Sequence, residues 1–146
     1  MNIEATSFLN QIAIELNSDI TINEDHAWLI PAQLPNHLLT ITWLKNRENE
    51  QYEFTFSLAL GEYSENIPSE LILNLLTTNI SMAILHGPKL SYSPKSNLLT
   101  LMDSFSSVAG NEVHIGEIAA NFVLLGKEMH EQIAKQGTLL TINMEQ

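Results

Sequence analysis

Two periodicities divide this chain into strands and helices. Between Tyr52 and Leu60 the apolar residues Tyr52, Phe54, Phe56, Leu58 and Leu60 alternate with Glu53, Thr55, Ser57 and Ala59. A period of two marks a strand with one buried face. Leu38 to Lys45 repeats the pattern, with Leu39, Ile41 and Trp43 on one side and Leu38, Thr40, Thr42 and Leu44 on the other. The polar run Asn46 to Glu50 joins the two as a hairpin loop. A β-favouring piece around Ala27-Trp28-Leu29-Ile30 predicts an earlier strand near 26–31, ended by Pro31 and Pro35. After Gly87-Pro88, Leu90-Ser91-Tyr92 and Asn97 to Met102 flank Ser93-Pro94-Lys95-Ser96 and predict a second hairpin.

Helical spacing appears at both ends. Phe8, Ile12 and Leu16 step by four within a helix over 3–17, which Asn17-Ser18-Asp19 stops. Ile14 falls off that stripe and is expected at the surface. Ile115, Ile118, Phe122, Leu125 and Met129 define a last helix over 111–135, with Asn111 as its cap and Gly137 as its C′ residue. Gly116 and Gly126 lie inside it. Each costs about 1 kcal/mol relative to Ala, so both are expected to mark close packing.

The middle of the chain differs. Leu71 to Leu76 reads as a short helix running into Asn79 to Leu85, and no Lys, Arg, Asp or Glu occurs between Leu71 and Pro88. A surface helix needs an apolar stripe on one side only. This one is apolar on nearly every side. Either it lies in the middle of the fold or a second molecule covers it. Burial between two copies is expected, with Leu71, Leu75, Leu76 and Ile80 as the contact residues.

The predicted class is α+β: helix, three strands, short helix, two strands, long helix. An antiparallel twisted sheet packs against the helices. One domain is expected over 1–137. Residues 138–146 form a C-terminal tail, either frayed or a short extra strand.

Composition narrows the function. The chain has 146 residues, 45% of them apolar, enough for one domain with a real core. Its net charge is −11, with acids spread throughout. Phosphate contacts need Lys and Arg, so nucleic acid is not an expected partner, whereas a basic polypeptide is. The absence of cysteine excludes disulfides and thiolate metal sites. No secretory signal is visible at Met1-Asn2-Ile3-Glu4. Asn74, Thr77, Thr78, Asn79, Ser81 and His86 interrupt the uncharged stretch, whereas a membrane span needs about 20 mostly apolar residues. No membrane partner is therefore expected.

The search for chemistry yields little. The five histidines, His26, His37, His86, His114 and His130, form no HExxH pair. No dinucleotide, phosphate-loop or nucleophile-elbow motif occurs. No cofactor is expected, and the protein reads as a non-enzyme. A small hydrolase using a His and a carboxylate is the competing class, and it requires a pocket where such groups converge.

The order of elements covers nearly the whole chain. Leu71-Ile72-Leu73-Asn74-Leu75-Leu76-Thr77-Thr78-Asn79, then Gly87-Pro88-Lys89-Leu90-Ser91, then Asn97-Leu98-Leu99-Thr100-Leu101 give a Leu-rich helix, an Asn, a small residue before a strand, and a strand leading to the last helix. With the small size and acidity, this resembles the class I type III secretion chaperones, the CesT/SycE-like family. Asn23-Glu24-Asp25-His26 departs from the family's Gly in the first β turn, and Lys127, Glu128 and His130 stand where members often carry an aromatic or basic cluster. The resemblance implies a homodimer in the bacterial cytoplasm. Each dimer would bind the N-terminal non-globular segment of a secreted effector and keep it secretion-competent, with the secretion ATPase as a further partner. Ile14, Leu29, Leu38, Trp43 and Leu44 are the effector-binding candidates, on the first helix and the sheet. A regulator or adaptor of the same fold, binding a folded secretion-apparatus component, is the alternative.

Overall fold

The computed structural model describes residues 3–46, 48, 51–63, 69–108, 110–135 and 139–140. The elements run α1 (Ile3–Glu15), β1 (Thr21–Ile22), β2 (His26–Leu29), β3 (Leu39–Asn46), β4 (Gln51–Tyr63), α2 (Ser69–Ile84), β5 (Lys89–Ser93), β6 (Leu98–Val108), α3 (Glu112–Ala134) and β7 (Leu139–Leu140). The class is α+β and the predicted elements follow in the predicted order, with the two-residue strands β1 and β7 in addition. Among the described residues the strands form one antiparallel sheet ordered β1-β2-β3-β4-β6-β5, with β7 added beside β4.

Strand β4 is the axis of this sheet. Its alternation puts Tyr52, Phe54, Phe56, Leu58 and Leu60 on one face, all fully buried. Across β3 and β6 that face continues through Leu39, Ile41, Leu101 and Phe105. Helices α1 and α3 cover it. Phe8 of α1 meets the rings of Tyr52 and Phe54 at 5.4 and 5.3 Å, and Phe122 of α3 meets Phe56 at 5.6 Å. Tilted ring pairs at such distances add to plain burial. Both interior glycines of α3 mark close approaches. A Cβ on Gly116 would lie 2.6 Å from Glu15 Cγ of α1, and one on Gly126 would lie 2.2 Å from Leu58 Cδ2 of β4. The opposite face of the sheet is richer in hydroxyls, with Thr55 and Ser104 in contact at 3.2 Å.

Element ends follow local chemistry. Helix α1 stops two residues before the predicted end because Asn17 turns to φ 48°, with Asn17 and Ser18 N–H groups closing on the Ile14 and Ala13 carbonyls. Strand β2 ends at Leu29 because the Ile30 carbonyl accepts from Ser18 Oγ at 2.6 Å and leaves the sheet. Strand β4 outruns its predicted end because a bulge between Ala59 and Gly61 resets the register while pairing with β6 continues. Strand β6 extends to Val108, well past the predicted Met102, because β4 pairs with it along its whole length. Gly137, predicted as the C′ residue of α3, lies outside the described residues, as do Thr138 and residues 141–146 of the predicted tail. Leu139–Leu140 within that tail forms β7.

Two histidines grip the bulge. His37 Nδ1–H donates to the Ala59 carbonyl at 2.8 Å, and His130 Nδ1–H donates to the Leu60 carbonyl at 2.8 Å. A carbonyl only accepts, so Nδ1 carries the proton in each ring. The rings meet edge to face at 4.6 Å. The β2–β3 connection and the end of α3 are thus tied to the same two residues of β4.

Burial pushes the His37 imidazole below its ordinary value of 6.5; the Ala59 bond opposes this and His130 adds to it. The folded chain therefore takes up this proton less readily than the unfolded chain. Stability from this site is complete above pH 6.5 and declines as the pH falls from there towards the depressed folded value. Thermal denaturation of wild type and His37→Asn from pH 7.5 to pH 5 should show wild type losing its advantage below about pH 6.5. A difference independent of pH would contradict this reading.

Candidate functional site

Helix α2 owes its start and stop to identifiable groups. Glu70 lies in its first turn, where a carboxylate meets the positive end of the helix dipole. At the other end His86 adopts φ 56° and its N–H bonds to the Ala83 carbonyl, while the Gly87 N–H bonds to the Met82 carbonyl at 2.8 Å. This 6→1 and 5→2 pair closes the helix one residue before the Gly87-Pro88 break. Instead of a short helix running into a second piece, α2 is one continuous helix of 16 residues.

Its inner side touches the core. Leu75 and Met82 are half-buried and packed against it, with Asn79 between them. Ile72, Leu75, Leu76 and Asn79 line a cleft of about 170 Å³ with Leu90 and Tyr92 of β5. The outer side is covered by nothing in the described chain. Leu73, Leu76, Ile80, Ile84 and Leu85 are each more than half exposed, and Ile72 is partly so. Among the described residues, half of the exposed large hydrophobic side chains thus fall on one helix and the turn after it. Scattered exposed apolar residues are ordinary, but a contiguous set marks an interaction surface.

The polar residues of α2 do not dilute this face. Thr77, Thr78 and Ser81 donate their hydroxyls to the carbonyls of Leu73, Asn74 and Thr77, at 2.9, 2.9 and 3.3 Å. Back-bonded hydroxyls are satisfied within the helix and ask nothing of a partner. No charged residue lies between Leu71 and Leu85. The surface can therefore be covered with little desolvation cost.

Of the predicted contact residues, Leu76 and Ile80 lie on this outer face, while Leu75 turns inward. The side chain of Leu71 lies outside the described residues. Leu73, Ile84 and Leu85 belong to the face and were not singled out by the sequence. The series Ile72, Leu76, Ile80, Ile84, four apart, was the available signal.

The effector-binding candidates do not form one patch. Ile14 on α1 and Leu44 on β3 are strongly exposed, and Leu38 and Trp43 are half-buried. Leu44 pairs with Glu53 on the hydroxyl-rich face, whereas Trp43 pairs with Phe54 on the helix-covered face. Leu29 was expected at the surface and is instead fully buried. Its register opposite Leu39 turns it into the core, so it cannot serve as an exposed anchor in this fold.

A second apolar cleft, of about 270 Å³, lies between β6 and α3, lined by Pro88, Asp103, Phe105, Ile118, Phe122 and Leu125. Asp103 is its one charged lining group. Burial pushes this carboxyl above its ordinary value of 3.8, against the Ser104 N–H bond and Lys89, which lower it. Among the described residues no three His, Cys, Asp or Glu side chains are grouped to hold a metal ion. No described helix is long and apolar enough to cross a membrane.

No family model matches the sequence, and no curated protein matches it. A solved structure does share the fold: a chain in the structure of the HopA1–SchA chaperone–effector complex. The match has a TM-score of 0.54 at 15% identity and covers 88% of this chain and 94% of that one. The likeness is one of architecture.

Asp103 yields a prediction. The folded chain holds its proton more tightly than the unfolded chain, so ionising it costs stability as the pH rises through 3.8 and the raised folded value. Asp103→Asn, which keeps an acceptor for Ser104, should raise stability at pH 7. Urea denaturation should show that gain shrinking as the pH is lowered towards 3.8.

Proposed function

We propose that this chain is a secretion chaperone of the class I type III kind, acting as a homodimer. The observation that carries the proposal is the uncovered, uncharged face of α2, in a fold shared with a chain of a chaperone–effector complex. Two copies would meet along α2. The row Ile72, Leu76, Ile80, Ile84 is a ridge of i±4 spacing, the kind that interdigitates with a copy of itself at a crossing of about −50°. A two-fold contact needs a self-complementary patch, and a helix crossing its own copy supplies one.

The client in this proposal is the N-terminal non-globular segment of a secreted effector. It would bind without any covalent step. An extended segment can wrap a large surface and anchor its apolar side chains in separate depressions. Separate anchor points suit such a client better than a folded domain. Ile14, Leu38, Trp43 and Leu44, together with the cleft at Phe105 and Phe122, are dispersed in that manner. The net charge of −11 favours a basic client and disfavours association beyond the dimer. The place of action would be the bacterial cytoplasm, with the secretion ATPase receiving the loaded complex.

The test is mass in solution followed by co-expression with effectors encoded nearby. A dimer that retains an effector's N-terminal segment supports the proposal, and a monomer that retains none defeats it. Capture of a folded apparatus component, with indifference to unfolded segments, would identify an adaptor instead. Ile80→Asp places an unpaired charge at the centre of the α2 face. Burying it costs several kcal/mol, so dimerisation should weaken by about 100-fold or more. Light scattering should give a monomer at concentrations where wild type is paired, with circular dichroism unchanged because Ile80 is exposed within one copy.

A further inference from the structure

Strand β5 stands at the end of the sheet order, with β6 on its inner side. An end strand leaves N–H and C=O groups open to pairing with another chain. Along an antiparallel strand those groups alternate between facing the partner and facing away. Leu90 pairs with Leu101, but its own N–H and C=O both go to Asn79 of α2. The Leu90 N–H donates to Asn79 Oδ1 at 2.6 Å, and Asn79 Nδ2 donates to the Leu90 carbonyl at 2.8 Å.

A primary amide offers one acceptor and a donor beside it, and so reproduces what a neighbouring strand would present at this point. The alternation places Tyr92 next along the same edge, and Pro88 immediately precedes the strand. Pro88 has no N–H to give. The amide closes one of the two outward positions within β5, with a proline at the strand's entry.

Leu75 and Met82 flank Asn79 on the inner side and already supply apolar contact. Burying an amide is costly unless its groups are bonded, and here both ends are used on one backbone residue. The geometry is that of backbone recognition rather than of packing.

We infer that Asn79 is a strand stop, a side chain that occupies the pairing site of the β5 edge and prevents another strand from joining there. The inference rests on the reading of α2 as the face between copies and specifies how they meet. Side chains of the two α2 helices interdigitate, and the two sheets remain separate instead of fusing through β5. The same stop denies this edge to a client strand.

The experiment compares the full wild-type chain with Asn79→Ala and Asn79→Asp, using amide hydrogen exchange and light scattering over a range of concentrations. In wild type the Leu90 amide should exchange as slowly as amides of the interior strand β6. In Asn79→Ala it should exchange about tenfold faster, as for loss of one hydrogen bond, while Leu101 is unchanged. That variant should also form species larger than wild type, growing with concentration. Asn79→Asp keeps an acceptor for the Leu90 N–H and loses the donor. Its second carboxylate oxygen then faces the Leu90 carbonyl and is repelled, so the side chain leaves the edge: Leu90 protection should fall, the larger species should appear, and this variant carries the mass test if Asn79→Ala does not fold. Rapid exchange of Leu90 in wild type, or wild-type mass for the variants at every concentration, overturns the stop. A monomeric wild type overturns the pairing along α2 instead, and the stop is then judged on the variants' change in mass alone.

Discussion

Everything else in this fold depends on the burial of one face of β4. Five large side chains on that strand lose all contact with water beneath α1 and α3. Burying one such side chain contributes roughly 1.5–3 kcal/mol. The face fixes the register of β3 and β6, since a slip of one residue would turn the aromatic rings outward. It also fixes the helices. Gly126 lets α3 settle onto Leu58, and Gly116 lets α1 settle onto α3, where larger side chains would force the layers apart. The histidine pair then ties the rim of this assembly to the bulge in the same strand.

Helix α2 stands outside that arrangement. It is held by Leu75 and Met82 against the core, by Ile72 and Leu76 beside β5, and by one amide on one backbone residue. Its remaining surface is apolar without intramolecular cover. The molecule thus separates two tasks. A dense core specifies the fold, and α2 exposes an apolar face outside it.

Much of this was legible in the residue pattern. The β4 alternation is strong because its two faces meet opposite environments. The α3 stripe and its two glycines were readable for the same reason. Strand β6 past Met102 was not. It carries Asp103 on the helix-covered face and serines between, so only its pairing with β4 reveals it. Leu29 was misjudged because two apolar neighbours in a four-residue strand do not show which one points inward; its partner Leu39 decides. The uncharged run of α2 announced an unusual surface. Its continuity across Thr77 and Thr78 depended on hydroxyls bonding back to their own helix, which composition does not display. The role of Asn79 was invisible, since it is defined by a backbone group 11 residues away.

The bulge in β4 has a consequence for the order in which the chain is completed. Because β4 runs on after β3 has ended, its last residues are flanked by segments encoded much later. Glu62 pairs with Leu98 on one side and with Leu140 on the other, and Tyr63 pairs with Leu139. These residues are the root from which the chain passes into α2. During synthesis, which proceeds at about 5–20 residues per second, the root stays unfastened on both sides until β6 and then β7 have emerged. Helix α2 therefore leaves the ribosome before the strand ends that anchor its root have been made.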